Sequence, residues 1–476
     1  QGSGIMGLSR LPGWLIEGMA EYLSVGREDP LTTMWVRDAA RRDDIPTIKQ
    51  MTREMRYFPY RFGQALWAYV GGTYGDEVVV DLFRRSMRTG WEPALELVLG
   101  ISSDTLSARW AETIKEEYLP LMEGKTSPSA VGTLLLAPEK GAGSQNLAPS
   151  ISPDGQRLVY MSEKDLFSFD LFLASANSGE TLETLSSASA DPHFDALRFM
   201  DSSGAWSPDG TLVAFSVFAD GDNAIVIMDP DRKKVEERIT VDGVGAIQGP
   251  SWSPDGRTVV FSGSVGGITD LFVHDIASDV TTRLTEDKYA AFQPVFSPDG
   301  RTVAFVTDQG EMTDFDLLRY AKFQIGLLDL ETGEVETLDL FGETVKHINP
   351  QYSPDGSKLY FISDPDGFSN IYRVDLASGQ IERITNVATA VSGITWSAPA
   401  LTVARLSGKL VFSVFDEFEF HVYSLTAEEA NERAEVVARM EPGPGRNLPP
   451  MEPRVPGRVA TYLHDYETGL EAPGTF

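Results

Sequence analysis

Pro250-Ser251-Trp252-Ser253-Pro254-Asp255-Gly256-Arg257-Thr258-Val259-Val260-Phe261-Ser262 is one copy of a unit that this chain repeats. Its Ser-Pro-Asp-Gly core also begins at Ser152, Ser207, Ser297 and Ser353, and successive copies lie 44 to 56 residues apart. A degenerate sixth copy, Trp396-Ser397-Ala398-Pro399, precedes the strand-like Gly408-Lys409-Leu410-Val411-Phe412-Ser413. The chemistry of the core is that of a tight turn: Pro pre-sets φ, Asp bonds nearby backbone, and Gly accepts positive φ. The apolar runs on either side read as strands. A third strand at 270–276 and a fourth at 280–285 complete a four-stranded unit, and 370–376 with 380–385 repeat the order. A period of roughly 40 to 50 residues built from short strands predicts a β-propeller with one blade per repeat. One blade cannot bury its apolar face alone, so neighbours must stack and the ring must close. Either 131–136 or 435–440 can supply the last outer strand, and closure by the first predicts a linker that resists proteolysis.

The aromatic-Ser-Pro-Asp-Gly pattern, with Val-Ala-Phe-Ser and Ile371-Tyr372-Arg373-Val374-Asp375-Leu376, resembles the six-bladed TolB-like propellers of bacterial cell envelopes. The resemblance implies a periplasmic or envelope location and a protein or peptide partner. It leaves the activity open, because such propellers serve as binding platforms, protease gates and enzymes. Asp154, Asp209, Asp255, Asp299 and Asp355 read as turn formers, since an aspartate repeated in every blade has a geometric reason to be there.

Composition narrows the classes. The 476 residues are 42% hydrophobic, enough for a propeller and at least one further domain. The formal charge of −30 repels phosphate backbones and anionic lipid, which argues against nucleic-acid partners. With no cysteine, the chain has no disulfide, thiolate metal site or cysteine nucleophile. No apolar run is long enough for a spanning helix.

Outside the repeats the periodicity changes. Leu106, Trp110 and Ile114 fall on one helical stripe, as do Phe62, Leu66 and Tyr69, so residues 1–125 read as an α-helical domain whose last helix Pro120 closes. Residues 126–148 read as a linker with a potential ring-closing strand, 149–440 as the six-bladed propeller, and 441–476 as a Pro-rich extended tail. The fold class expected is thus a helical domain followed by an all-β propeller. Gln1-Gly2-Ser3 resembles the remnant of a tag-cleavage site.

Trp14-Leu15-Ile16-Glu17-Gly18-Met19-Ala20-Glu21-Tyr22 resembles the helix of gluzincin metallopeptidases that supplies their third zinc ligand, and Phe58-Pro59-Tyr60-Arg61-Phe62-Gly63-Gln64-Ala65-Leu66 resembles their oxyanion-stabilising segment. The resemblance implies Glu17 as metal ligand and Tyr60 as oxyanion donor. Zinc would polarise a carbonyl while the phenol donates to the developing charge. The His-Glu-x-x-His that this chemistry needs is absent. His193, His274, His347, His421 and His464 all lie in the propeller or tail, so zinc is expected only in an intact parent and peptidase activity is not expected of this chain. Either the upstream metal-binding helix lies outside the sequence, the reading favoured here, or the lineage has lost it. Glu17 and Glu21 also read as solvated acids on an amphipathic helix.

The propeller has candidates of its own. Asp220, Asp222, Asp270, Asp308 and Asp364, with Glu311, Asp314 and Asp366 nearby, sit in loops that could hold calcium or another hard cation at one mouth of the channel. His193 and His347 are candidate bases, and solvated hairpins with packed histidines are the plainer reading. Three functions stay open: a peptidase gated by its propeller, a non-catalytic interaction scaffold, and a small-ester or phosphoester hydrolase with a channel metal.

Overall fold

The structure is a computed structural model describing residues 11–165, 168–186, 196–197, 202–219, 221–440, 442–455 and 457–459. It divides into two compact units: 1–125 with 366–368 and 443–476, and 126–365 with 369–442.

The first unit is helical. Seven helices are described before residue 125: Gly13–Val25, Pro30–Arg41, Ile48–Arg53, Pro59–Tyr74, Glu77–Thr89, Trp91–Leu99 and Ser103–Met122. Local chemistry sets several starts. Asp29 accepts from the Leu31 and Thr32 amides ahead of a Pro at the first position, Thr47 and Gln50 form a reciprocal box, and Ser102 accepts from Thr105 N–H. Leu106, Trp110, Ile114, Phe62, Leu66 and Tyr69 are all buried, as their spacing predicts. Pro120, expected to close the last helix, lies inside it, and the helix runs two residues further. This is tolerated because residues beyond the proline still reach back, Glu123 N–H bonding to Pro120 O. The tail belongs to this unit: Tyr118 Oη donates to Asn447 O at 2.8 Å, and Arg454 N–H to Gly72 O at 2.8 Å.

The second unit is a six-bladed antiparallel propeller. Blade 1 comprises Asn146–Ile151, Arg157–Asp165, Ser168–Ser175 and Thr181–Ser186. Blade 2 has Ala205–Trp206 with Ala196–Leu197 innermost, then Val213–Ala219, Asp222–Asp229 and Lys234–Ile239. Blade 3 is Gly245–Trp252, Thr258–Val265, Ile268–Asp275 and Val280–Arg283, and blade 4 is Ala291–Phe296, Thr302–Thr307, Gln324–Asp329 and Val335–Thr337. Blade 5 is His347–Tyr352, Lys358–Ser363, Asn370–Asp375 and Ile381–Arg383, with Glu435–Val436 added outside. Blade 6 takes Leu401–Val403, Ala390–Val391, Leu410–Asp416 and Glu419–Leu425 from late in the chain and its outer strand, Thr133–Leu136, from early. Of the two candidates for ring closure, the early segment therefore takes the place, with Thr133 opposite Ser424.

The repeated turns explain themselves atom by atom. In blade 3, Ser253 Oγ donates to Asp255 Oδ1 at 2.7 Å and accepts from Thr258 N–H at 3.0 Å, while Asp255 Oδ1 also accepts from Arg257 N–H. Gly256 N–H closes the turn on Ser253 O. The same bonds recur at Asp154, Asp209, Asp299 and Asp355. The five carboxyls are held below the ordinary range, chiefly by the serine hydroxyl and then by backbone N–H donors. Successive turns also touch. A Cβ on Gly256 would meet Pro208, one on Gly300 Pro254, and one on Gly356 Pro298, at 3.5 Å, 3.6 Å or closer. Leu406 N–H completes the circle on Pro153 O at 2.9 Å. The tryptophan before the motif ties neighbouring blades, since Trp206 Nε1 donates to Ser150 O and Trp252 Nε1 to Ala205 O, each reaching the innermost layer of the preceding blade.

Candidate functional site

In the helical unit, the Gly13–Val25 and Pro59–Tyr74 helices cross where neither has a side chain. A Cβ on Gly18 would lie 2.3 Å from Gly63 Cα, and one on Gly63 would lie 2.4 Å from Trp14 O. Only glycine permits that approach. Trp14 and Trp67 flank the crossing, bonded through Nε1 to Thr52 Oγ1 and Leu15 O respectively. The consequence is chemical: Glu17, next to Gly18, and Tyr60, three residues before Gly63, come close enough for the carboxylate to act on the phenol, both half-buried. The Glu17 carboxylate, and behind it that of Glu21, raises the Tyr60 pKa, so the phenol keeps its proton across the neutral range.

The described residues of this unit do not by themselves fit a zinc ion. Glu17 offers one carboxylate, no histidine accompanies it between residues 11 and 125, and His464 lies outside the described residues. A zinc site of either type needs three or four ligands.

The propeller acids are dispersed. Asp220 and His193 lie outside the described residues. Asp222 is exposed and accepts from the Asn223 amide. Asp270 is buried, with Arg283 Nη2 at 2.6 Å and Thr285 Oγ1 at 3.1 Å. Asp308 accepts from Ala290 N–H at 2.7 Å, and burial raises its pKa. Asp364 lies 3.9 Å from Lys346 Nζ. His347 is buried with Nδ1 at 3.0 Å from Ser363 Oγ, and burial depresses its pKa to about 3, against a pull upward from the Gly342 carbonyl. At neutral pH it is an uncharged packing group.

A group that sequence reading passed over is closer to a ligand set. Glu237, His274 and Asp279 bring one ligand atom each to within 4.8 Å of one another. They come from two blades and show no motif spacing, so no local signal could have joined them.

The channel is lined by innermost residues of all six blades and holds a cavity of about 90 Å³. At one mouth the motif prolines Pro153, Pro208, Pro254, Pro298 and Pro354 line a second space of about 280 Å³ with Arg405. Arg405 Nη2 donates to Trp252 O at 2.7 Å, and burial lowers its pKa to about 10. Gln293 Oε1 accepts from Asn349 N–H, and Asn349 Oδ1 from the Ala400 and Leu401 amides, tying blades 4, 5 and 6 together at the channel wall.

The second unit is thus a six-bladed ring closed by an early strand, with its repeated turns at a channel mouth. In agreement, residues 200–314 match the family model described as "TolB beta propeller domain". Among solved structures the chain is similar to TolB of Acinetobacter baumannii, at 18% identity over 58% of this chain and 68% of that one, with a TM-score of 0.41. It is similar also to a putative TolB of Agrobacterium tumefaciens, at 21% identity over 60% and 90%, with a TM-score of 0.41. An oligogalacturonate lyase in complex with manganese aligns at 15% identity over 64% and 80%, with a TM-score of 0.43. No curated protein matches the chain. Among the described residues no helix is long and apolar enough to cross a membrane.

Proposed function

We propose that this chain is a bacterial envelope protein whose propeller is a platform that presents or gates polypeptide for a gluzincin-type zinc peptidase domain, of which residues 1–125 are the later part. The observation that carries the reading is the meeting of Glu17 and Tyr60 across the Gly18–Gly63 crossing. A glycine stands within one helical turn of each of the two residues that the gluzincin resemblance singles out, and ordinary side chains at those glycines would keep the helices apart. In such a domain Glu17 would be a metal ligand and Tyr60, held protonated, the donor to a developing oxyanion. The two imidazoles would come from a preceding helix.

The test compares this chain with one extended upstream to the start of its gene. This chain should show no peptide hydrolysis with or without added zinc. The extended chain should gain a zinc equivalent and turnover. In it, Glu17→Gln should remove that equivalent, and Tyr60→Phe should lower kcat by about 10²–10³ with KM little changed. Peptidase activity in this chain abolished by Glu17→Gln, or an extended chain whose zinc and turnover ignore Glu17→Gln, would sink the reading.

A further inference from the structure

His274 sits on the third strand of blade 3, 2% exposed. Its Nδ1 is engaged by Thr281 Oγ1 at 2.9 Å, on the strand opposite. Its Nε2 is buried and makes no hydrogen bond. A buried ring nitrogen left unbonded costs free energy unless something else satisfies it.

What faces that nitrogen is a pair of carboxylates. Glu237 Oε1 lies at 3.5 Å and Asp279 Oδ1 at 3.8 Å. Glu237 comes from the outer strand of blade 2, just past a register shift between Val235 and Glu237 of the kind that re-aims a side chain. Asp279 holds the left-handed φ of 55° in the turn that follows His274, with its side chain open to water. The spacing is informative, because ligands at roughly 2.0–2.1 Å from a tetrahedral ion lie about 3.3 Å from one another. One imidazole and two carboxylates, with small inward movement, match that figure and neutralise a divalent charge. The Thr281 contact on Nδ1 is the outer-shell partner that metal-bound imidazoles characteristically have, and it aims Nε2 at the ion.

We propose that Glu237, His274 and Asp279 bind a divalent transition ion of the zinc class, clipping blade 2 to blade 3. A nitrogen ligand with two oxygens selects such an ion over calcium, which takes six or more oxygens. The exposure of Asp279 leaves a coordination position for water and makes the ion exchangeable. The site is independent of Glu17 and Tyr60.

The experiment strips the whole chain with chelator and adds back zinc, calcium or cobalt(II). Zinc should bind at one equivalent and raise the melting temperature, calcium should do neither, and cobalt should give the intense visible bands of a tetrahedral site with a nitrogen ligand. His274→Gln should abolish all three zinc-class signals. Asp279→Asn, a surface change that leaves the fold intact, should weaken zinc at least tenfold, and Thr281→Val should weaken it by about 10- to 100-fold. Glu17→Gln should change nothing. Absence of binding by the unaltered chain would overturn the site and leave His274 as a packed side chain beside two carboxylates. Binding that Asp279→Asn and His274→Gln leave untouched, or calcium bound as tightly as zinc, would overturn it equally.

Discussion

Ser253 is the hinge of its turn, donating to Asp255 and accepting from Thr258, so Ser253→Ala removes two bonds and leaves Asp255 with backbone donors and the exposed Arg257 guanidinium. The expected cost is ~2 kcal/mol, read as a lower urea midpoint at unchanged slope. All five turn carboxyls are depressed in the folded chain. Their contribution is therefore complete above the ordinary carboxyl range and lost as pH falls through the folded values. His347 acts earlier in the same titration. Its folded pKa of about 3 against 6.5 means that the unfolded chain takes up a proton that the folded one refuses. Stability should thus decline as pH falls from 6.5 towards about 3. In His347→Phe that part of the slope should disappear while the lower-pH loss remains. Urea midpoints across pH separate the two, and an unchanged slope in the variant would refute the assignment.

At the scale of elements, the helix crossing is the most sensitive contact in the first unit. Gly63→Ala puts a methyl 2.4 Å from Trp14 O, which backbone must move to relieve. We expect a loss of ~3 kcal/mol on thermal or urea unfolding and a Tyr60 pKa that falls back towards its ordinary value as Glu17 draws away. Titration of the tyrosines by ultraviolet absorbance reads the second effect. This crossing marks where sequence reading stops. Strand order, turn chemistry and the helical stripe at Leu106, Trp110 and Ile114 are local and periodic, so they were legible. That Glu17 meets Tyr60 depends on two helices approaching at glycines, and that Glu237 meets His274 depends on two blades packing. The dispersal of Asp222, Asp270, Asp308 and Asp364 was hidden for the same reason, since Arg283 reaches Asp270 from the next strand and Lys346 reaches Asp364 from the segment that leads into His347–Tyr352.

For the whole propeller, the decisive contact is the outer strand of blade 6. Leu135 and Leu136 are fully buried there, and the segment just before them is anchored by Thr126 N–H on Asn386 O at 2.7 Å and by Ala388 N–H on Thr126 O. Residues 126–136 should accordingly resist limited proteolysis. Leu135→Asp with Leu136→Asp should place two carboxylates in an apolar seat, at a cost of several kcal/mol, and broaden the melt as the ring loosens. Rapid proteinase K cleavage within residues 126–136 in the variant, against resistance in the unaltered chain, would mark the opening.

That same closure sets a clock on synthesis. Thr133–Leu136 leaves the ribosome early, but its partners lie at Val422–Ser424. At translation rates of roughly 5–20 residues per second, the strand waits on the order of 15–60 s with its edge unpaired. Every earlier blade can form before its predecessor is locked, so the nascent ring is an open crescent with two sticky ends. Slow codons or a stalled ribosome near blade 6 should therefore cost more soluble protein than the same delay anywhere else in the gene.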